Sequence, residues 1–175
     1  MMNETVTVLK SRRSVRQYSS GQIEKEQLDI ILEAGTFAPS GKGKQCTLMV
    51  AVSNKAIVDQ LSKLNAAVIG NPDMDPFYGA PTVVVVFADQ NHATYLYDGS
   101  LVMGNLMNAA HSIAVDSCWI HRAKEVFEGD AGKALKETWG VPAEYEGIGF
   151  CILGYRAGDY PTAKPRKDNF VIYVD

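Results

Sequence analysis

The sequence predicts an α+β fold. Three features point there. Residues 82–88, Thr-Val-Val-Val-Val-Phe-Ala, are almost wholly apolar and β-branched, as in a central strand buried on both faces. Residues 95–113 carry the longest apolar pattern at helical spacing. Strand-like and helix-like stretches mix without the regular βαβ rhythm of a doubly wound sheet.

In chain order, Asn3 and Glu4 start a short helix through Val8 and Leu9, which leads into Ser11-Arg12-Arg13-Ser14-Val15-Arg16. After a polar break at Ser19-Ser20-Gly21, residues 24–36 read as an amphipathic helix. Leu28, Ile31, Leu32 and Gly35 share one of its faces. Glu24 and Glu26 lie in its first turn, where the helix dipole favours them, and Pro39 stops it. Residues 47–52 form a short apolar strand. Residues 55–69 alternate charged and apolar positions at helical period until Gly70-Asn71-Pro72-Asp73 breaks them. Within the long helix over 95–113, Met103, Leu106, Met107 and Ala110 make one stripe, while Gly99, Gly104, Ala109 and Ala110 permit close helix packing. A strand is expected over 116–120, a surface helix over 129–139 that ends at Gly140 and Pro142, and a core strand over 147–153. The tail beyond Gly158 is rich in Pro and Lys and closes on Phe170-Val171-Ile172-Tyr173-Val174. That β-prone ending has no local hairpin partner and is open to pairing with another subunit. No internal repeat, low-complexity tract or linker divides the chain, so residues 1–175 are expected to form one domain.

Composition narrows the function classes. A net charge of −3 argues against a dedicated nucleic-acid binder. Cys46, Cys118 and Cys151 are far apart and form no CxxC, so neither a zinc ribbon nor a redox dithiol is suggested. Buried thiols in a reducing compartment fit better. The N-terminal residues hold no apolar stretch of signal-peptide length, and no run approaches a membrane span. A soluble, cytoplasmic protein is expected.

Several standard sites are excluded: the chain has no phosphate-loop motif, no GxGxxG, no GxSxG elbow, and His92, His111 and His121 lack metal-ligand spacing. No metal is expected. What remains is a basic cluster, Arg12, Arg13 and Arg16, with Ser14 between. On a helix or its frayed end, Arg12 and Arg16 lie one above the other. Guanidinium forks and a serine hydroxyl suit phosphate oxygens. Alone, the cluster fits a solvated basic face equally well. A second segment, Ala38-Pro39-Ser40-Gly41-Lys42-Gly43-Lys44-Gln45, follows a helix and enters a strand. Gly41 and Gly43 let backbone approach a ligand, and Ser40 and Gln45 offer hydrogen bonds. It too reads equally as a plain loop.

The ordered set is more specific. Arg12 to Tyr18 is an RRSxRxY-type segment, and residues 38–45 are an APSxxNxQ-type loop. Ala80-Pro81 leads into the apolar strand. Asp98-Gly99 and Asn105-Leu106 lie on the long helix, and Ser117-Cys118-Trp119-Ile120 follows it. Leu153-Gly154-Tyr155 and Lys164-Pro165-Arg166 complete the series. Taken together these resemble the nitroreductase family across essentially the whole chain.

The resemblance implies a three-layer α-β-α sandwich around a mixed, mostly antiparallel sheet, in an intertwined homodimer with two FMN molecules in clefts at the interface. It implies that Arg12, Ser14 and Arg16, with Arg13 as a further candidate, grip the FMN phosphate and ribityl chain together with Lys164 and Arg166. Pro39, Ser40 and Gly41, with Gln45 close by, are implied to reach the flavin from the other subunit. Ile120, His121 and Arg122 are implied to face the ring. NADH or NADPH would reduce the flavin, and a nitroaromatic, quinone or similar small acceptor would reoxidise it in a ping-pong cycle, so no protein nucleophile is named. The family often has Asn at the position of Gly43 and Pro-Trp after the Gln, where this chain has Cys46-Thr47; Lys42 and Lys44 are candidates to replace a lost polar contact. Two alternatives stand beside this: specialised flavin chemistry (dehalogenation, ene or flavin reduction, with residues 64–78 as a short lid) and a non-catalytic FMN storage or redox-sensing protein.

Overall fold

The computed structural model describes residues 3–174. Its centre is a four-stranded antiparallel sheet of β1 (Thr47–Val52), β2 (Thr82–Asp89), β3 (Asp116–Ile120) and β4 (Tyr145–Gly154), in the order β1-β2-β4-β3. Strand β2 is buried along almost its whole length because both its faces are covered. Val83, Val85 and Phe87 point into one core, with α3 (Lys55–Ile69) and α5 (Ala123–Glu128). Val84, Val86 and Ala88 point into the other, with α2 (Lys25–Thr36) and α4 (Tyr95–Ser112). The alternation of a pleated strand thus converts one apolar run into two cores and three layers. The parallel element among the described residues is a single bridge, Ser14 to Ser117.

Local signals explain the boundaries. Helix α1 (Glu4–Ser11) starts on Asn3, whose side chain accepts from the Val6 amide. Glu24 and Gln27 form a capping box, so Glu24 caps α2 rather than opening it. Asn54 caps α3, and Gly70 at φ 78° ends it. In α4, Gly99 lies against Ile148, and an added Cβ would sit 2.6 Å from that side chain, so the glycine lets the helix lie close on the sheet.

One expectation is corrected, and one helix is added to those expected. The helix expected over 129–139 is α6 (Asp130–Thr138), and an unexpected helix, α5, precedes it across Gly129 at φ −74°, ψ 156°. Helix α5 has six residues, too few for a periodic pattern, yet Val126 and Phe127 are core. Helix α6 is not wholly a surface element, since Lys136 is buried and donates to the Ala143 and Tyr145 carbonyls. Residues 170–174, expected to lack a local partner, form no strand within the chain, and Phe170 and Val174 are 67% and 91% exposed. Cys46, Cys118 and Cys151 are buried free thiols. Among the described residues no helix is long and apolar enough to cross a membrane.

Candidate active site

The basic segment leaves its helix early. Arg12 takes φ −55°, ψ 134°, so Arg12 and Arg16 do not stack on a helical face as expected. Instead the chain runs extended along the free edge of β3. The Val15 amide donates to the Ser117 carbonyl at 3.1 Å, and Tyr18 bridges Arg156 beyond β4. Val15 is buried, and the extended alternation turns Ser14 and Arg16 the other way.

The three arginines differ. Arg12 Nη1 is buried and has no hydrogen-bond partner, and the same holds for Ser117 Oγ on the adjoining strand. Buried donors without acceptors are rare and costly, so this pair suits an oxyanion. Arg13 is already engaged: its Nη1 donates to the Lys10 and Arg12 carbonyls at 2.9 and 2.8 Å. Arg16 is exposed.

Beside them, Ser11 Oγ lies 2.8 Å from His111 Nε2, and the Tyr160 hydroxyl lies 3.3 Å from His111 Nδ1. The His111 and Tyr160 rings stack at 5.7 Å. Burial lowers the His111 pKa, and Arg12, Arg13 and Arg156 push the same way against Asp116. Tyr160 thereby anchors the tail beside the basic segment. Lys164 and Arg166 follow on exposed chain, within about 20 Å of Tyr160 along the backbone. The Arg166 guanidinium folds back on the Lys164 carbonyl at 2.7 Å.

The loop over residues 39–45 sits elsewhere. Lys42, Gly43 and Gln45 all have positive φ, at 54°, 65° and 51°. Ser40 Oγ accepts from the Gln45 amide at 3.0 Å and closes the loop. Beneath it lies Asp98 on α4, 3% exposed. Its carboxylate accepts from the Gly41 amide at 3.1 and 3.2 Å, from Cys46 Sγ at 3.2 Å and from Thr94 Oγ1 at 3.1 Å. Pro39 and Gln45 are exposed, and Ser40 and Gly41 partly so.

At the end of β3, Ile120 is buried and His121 is exposed. The His121 carbonyl accepts from Asn65 Nδ2 at 2.7 Å, and Asn65 Oδ1 is buried without a partner. Arg122 follows at φ 76°.

These groups do not converge in one chain. Asp98 under the loop and His111 beside the basic segment stand near opposite ends of α4, roughly 20 Å apart at the helical rise. Meanwhile α4 exposes Leu96, Tyr97 and Leu101 at 48%, 71% and 46%, and Phe37 nearby at the end of α2 is 77% exposed.

The sequence profile of the nitroreductase family matches residues 9–75 and 69–155. The chain belongs to the nitroreductase family. Among its relatives is a protein of Archaeoglobus fulgidus named for NADH dehydrogenase and NAD(P)H nitroreductase activity, 30% identical over 88% of this chain and 86% of that one. Another is an FMN reductase [NAD(P)H] of Bacillus subtilis, 32% identical over 90% of this chain and 57% of that one. A nitroreductase of Bacteroides fragilis, solved with bound FMN, superposes with a TM-score of 0.92 at 29% identity, covering 99% of this chain and all of that one. A second FMN-bound nitroreductase, from Desulfitobacterium hafniense, gives 0.89 at 26% identity over the full length of both.

For a nitroreductase, this chain adds residues that sequence reading gave no role: Ser117, Asn65, Tyr160 and Asp98. Asp98 and Ser117 were visible only as members of the ordered motifs, Asp98 also as a lone carboxylate within an apolar helix. The segment over residues 64–78 comprises the end of α3 and the turns that follow it. Phe77 is 1% exposed, and Asp75 accepts from Ser62 Oγ and from the Phe77 and Gly79 amides.

Proposed function

We propose that this nitroreductase-family chain is an FMN-dependent oxidoreductase that takes electrons from NADH or NADPH and passes them to a nitroaromatic, quinone or similar small acceptor. Its site is completed by a second copy of the chain. The observation that carries the reading is the buried Arg12 Nη1 with no acceptor of its own. A phosphate monoester is the group that matches it, since a guanidinium offers its N–H fork to paired oxygens.

Arg12, Ser14 and Arg16 hold that phosphate in this reading, with Ser117 beside them and Lys164 and Arg166 closing over it from the tail. Arg13 orders the segment in this reading, with its Nη1 donors taken by the Lys10 and Arg12 carbonyls, and remains a further candidate for the phosphate. Pro39, Ser40, Gly41 and Gln45 belong to the flavin pocket of the neighbouring copy. Ile120 supplies an apolar contact at the ring, and His121 or Arg122 a positive group at its edge. FMN held by these residues would supply the redox chemistry between the nicotinamide donor and the acceptor.

Two features support the shared site. The basic segment and the loop are too far apart in one chain to meet one flavin. The exposed Leu96, Tyr97 and Leu101, and the unpaired apolar residues 170–174, form the kind of surface that a two-fold partner covers. Residues 1–175 act as one FMN-binding unit in this account, working in the cytoplasm, where three free thiols persist.

The test is reconstitution with FMN followed by sedimentation. A yellow dimer with one FMN per chain is expected. A monomer at micromolar concentration that retains FMN overturns the shared site.

A further inference from the structure

We propose that Asp98 is a positioning residue that holds the loop over residues 39–45 from beneath, in the shape this loop presents to a flavin. The proposal rests on the oxidoreductase reading above and adds to it a group that touches neither cofactor nor substrate.

Asp98 is 3% exposed, and no cation pairs with it among the described residues. A buried carboxylate without a counter-ion is costly unless its lone pairs are filled. Here they are filled by donors from two places. Gly41 N–H and Cys46 S–H come from the loop and its exit, and Thr94 O–H comes from the cap of α4. Burial, and next the hydrogen bond to Asp98, push the Cys46 thiol up to about 11, so it stays protonated and donates. One side chain therefore ties both ends of the loop to the start of the long helix.

The loop needs such a tie. Lys42 and Gln45 are non-glycine residues in the left-handed region, which L side chains adopt at a cost, and such conformations persist where surroundings over-determine them. Gly41 meets Asp98 by lying so close to Thr94 that a Cβ would fall 2.2 Å from Thr94 Oγ1. Ser40 Oγ closes the loop from above through the Gln45 amide. Without the carboxylate, the backbone would keep the strain and lose what holds it.

The test uses the FMN-loaded protein. Asp98→Asn keeps the shape but turns one acceptor oxygen into a donor that faces other donors. The expected result is retained FMN, a shifted visible flavin band, and kcat/KM for the acceptor lower by about tenfold, the loss of roughly one hydrogen bond to a charged group. Cys46→Ser keeps a donor and stays near wild type in band and kcat/KM, whereas Cys46→Ala and Thr94→Val each shift both part of the way. These two keep the proposal testable if Asp98→Asn fails to fold. A merely structural role would lower Tm in the variants and leave the flavin band and kcat/KM unchanged, and that result overturns the proposal. A wild-type chain that binds no FMN overturns the oxidoreductase reading itself.

Discussion

The Arg13 amide donates to the Tyr160 hydroxyl at 2.8 Å, across 147 residues of sequence. The same hydroxyl donates to the Ser11 carbonyl at 3.2 Å, so one phenol joins the end of α1, the basic segment and the C-terminal arm. Tyr160→Phe removes a donor and an acceptor at once and leaves a partly buried N–H without a partner. It should lower stability by about 1–3 kcal/mol and weaken FMN retention in parallel. Thermal melts with and without FMN check this, and unchanged retention would separate the arm from the phosphate site.

Arg12→Ala should act in opposite directions on the two forms of the protein. In the apoprotein it removes a buried donor that has no partner, so Tm should hold or rise. In the FMN-loaded protein it removes a charge-assisted bond worth roughly 1.5–3 kcal/mol, about a tenfold to hundredfold rise in Kd. Arg166→Ala should weaken FMN retention without the apoprotein gain, because its guanidinium is exposed. Fluorescence titration with FMN measures both. Wild-type affinity in both variants would mean that the phosphate lies elsewhere.

His111 sets a pH dependence. Its folded pKa lies below the ordinary 6.5, through burial first and then Arg12, Arg13 and Arg156 against Asp116. As pH falls through about 6.5, the unfolded chain takes a proton that the folded chain refuses, so stability declines until pH passes the lowered folded value, where the contribution levels off. Melts of the wild type and of His111→Gln over that range should show a shallower slope in the variant. Parallel slopes would mean that another group governs acid sensitivity.

Much of the fold was legible because it is written in local periods. Helices α2 and α4 carry patterns long enough to show the 3.6-residue period, and β2 was legible from its run of β-branched residues. Helix α5 was hidden by its six residues. The stacking expected of Arg12 and Arg16 failed because nothing in Lys10-Ser11-Arg12 marks a helix end, while the pairing of Val15 with Ser117 pulls the chain out of the helix there. The basic cluster and the loop were visible as compositions. The roles of Asp98 and Tyr160 were not, since Asp98 depends on Gly41, 57 residues away, and Tyr160 on Ser11, 149 residues away, and such partners leave no local pattern.

Deleting residues 170–175 should loosen the dimer and release flavin together. The segment exposes Phe170, Val171, Ile172 and Tyr173 at 62–86%, an apolar, unpaired edge that natural chains tend to cover. Sedimentation of the truncated chain beside its FMN content checks the coupling. A truncated protein that stays dimeric and fully loaded would show that the arm takes no part in the interface.

The most direct measurement is the visible absorbance of the FMN-loaded protein mixed anaerobically with NADH or NADPH, followed by a quinone or nitroaromatic. The account predicts that the flavin bands bleach within seconds and return when the acceptor is added, through many cycles. Bound flavin that neither nicotinamide bleaches would contradict it, and would leave a protein that stores FMN without turning it over.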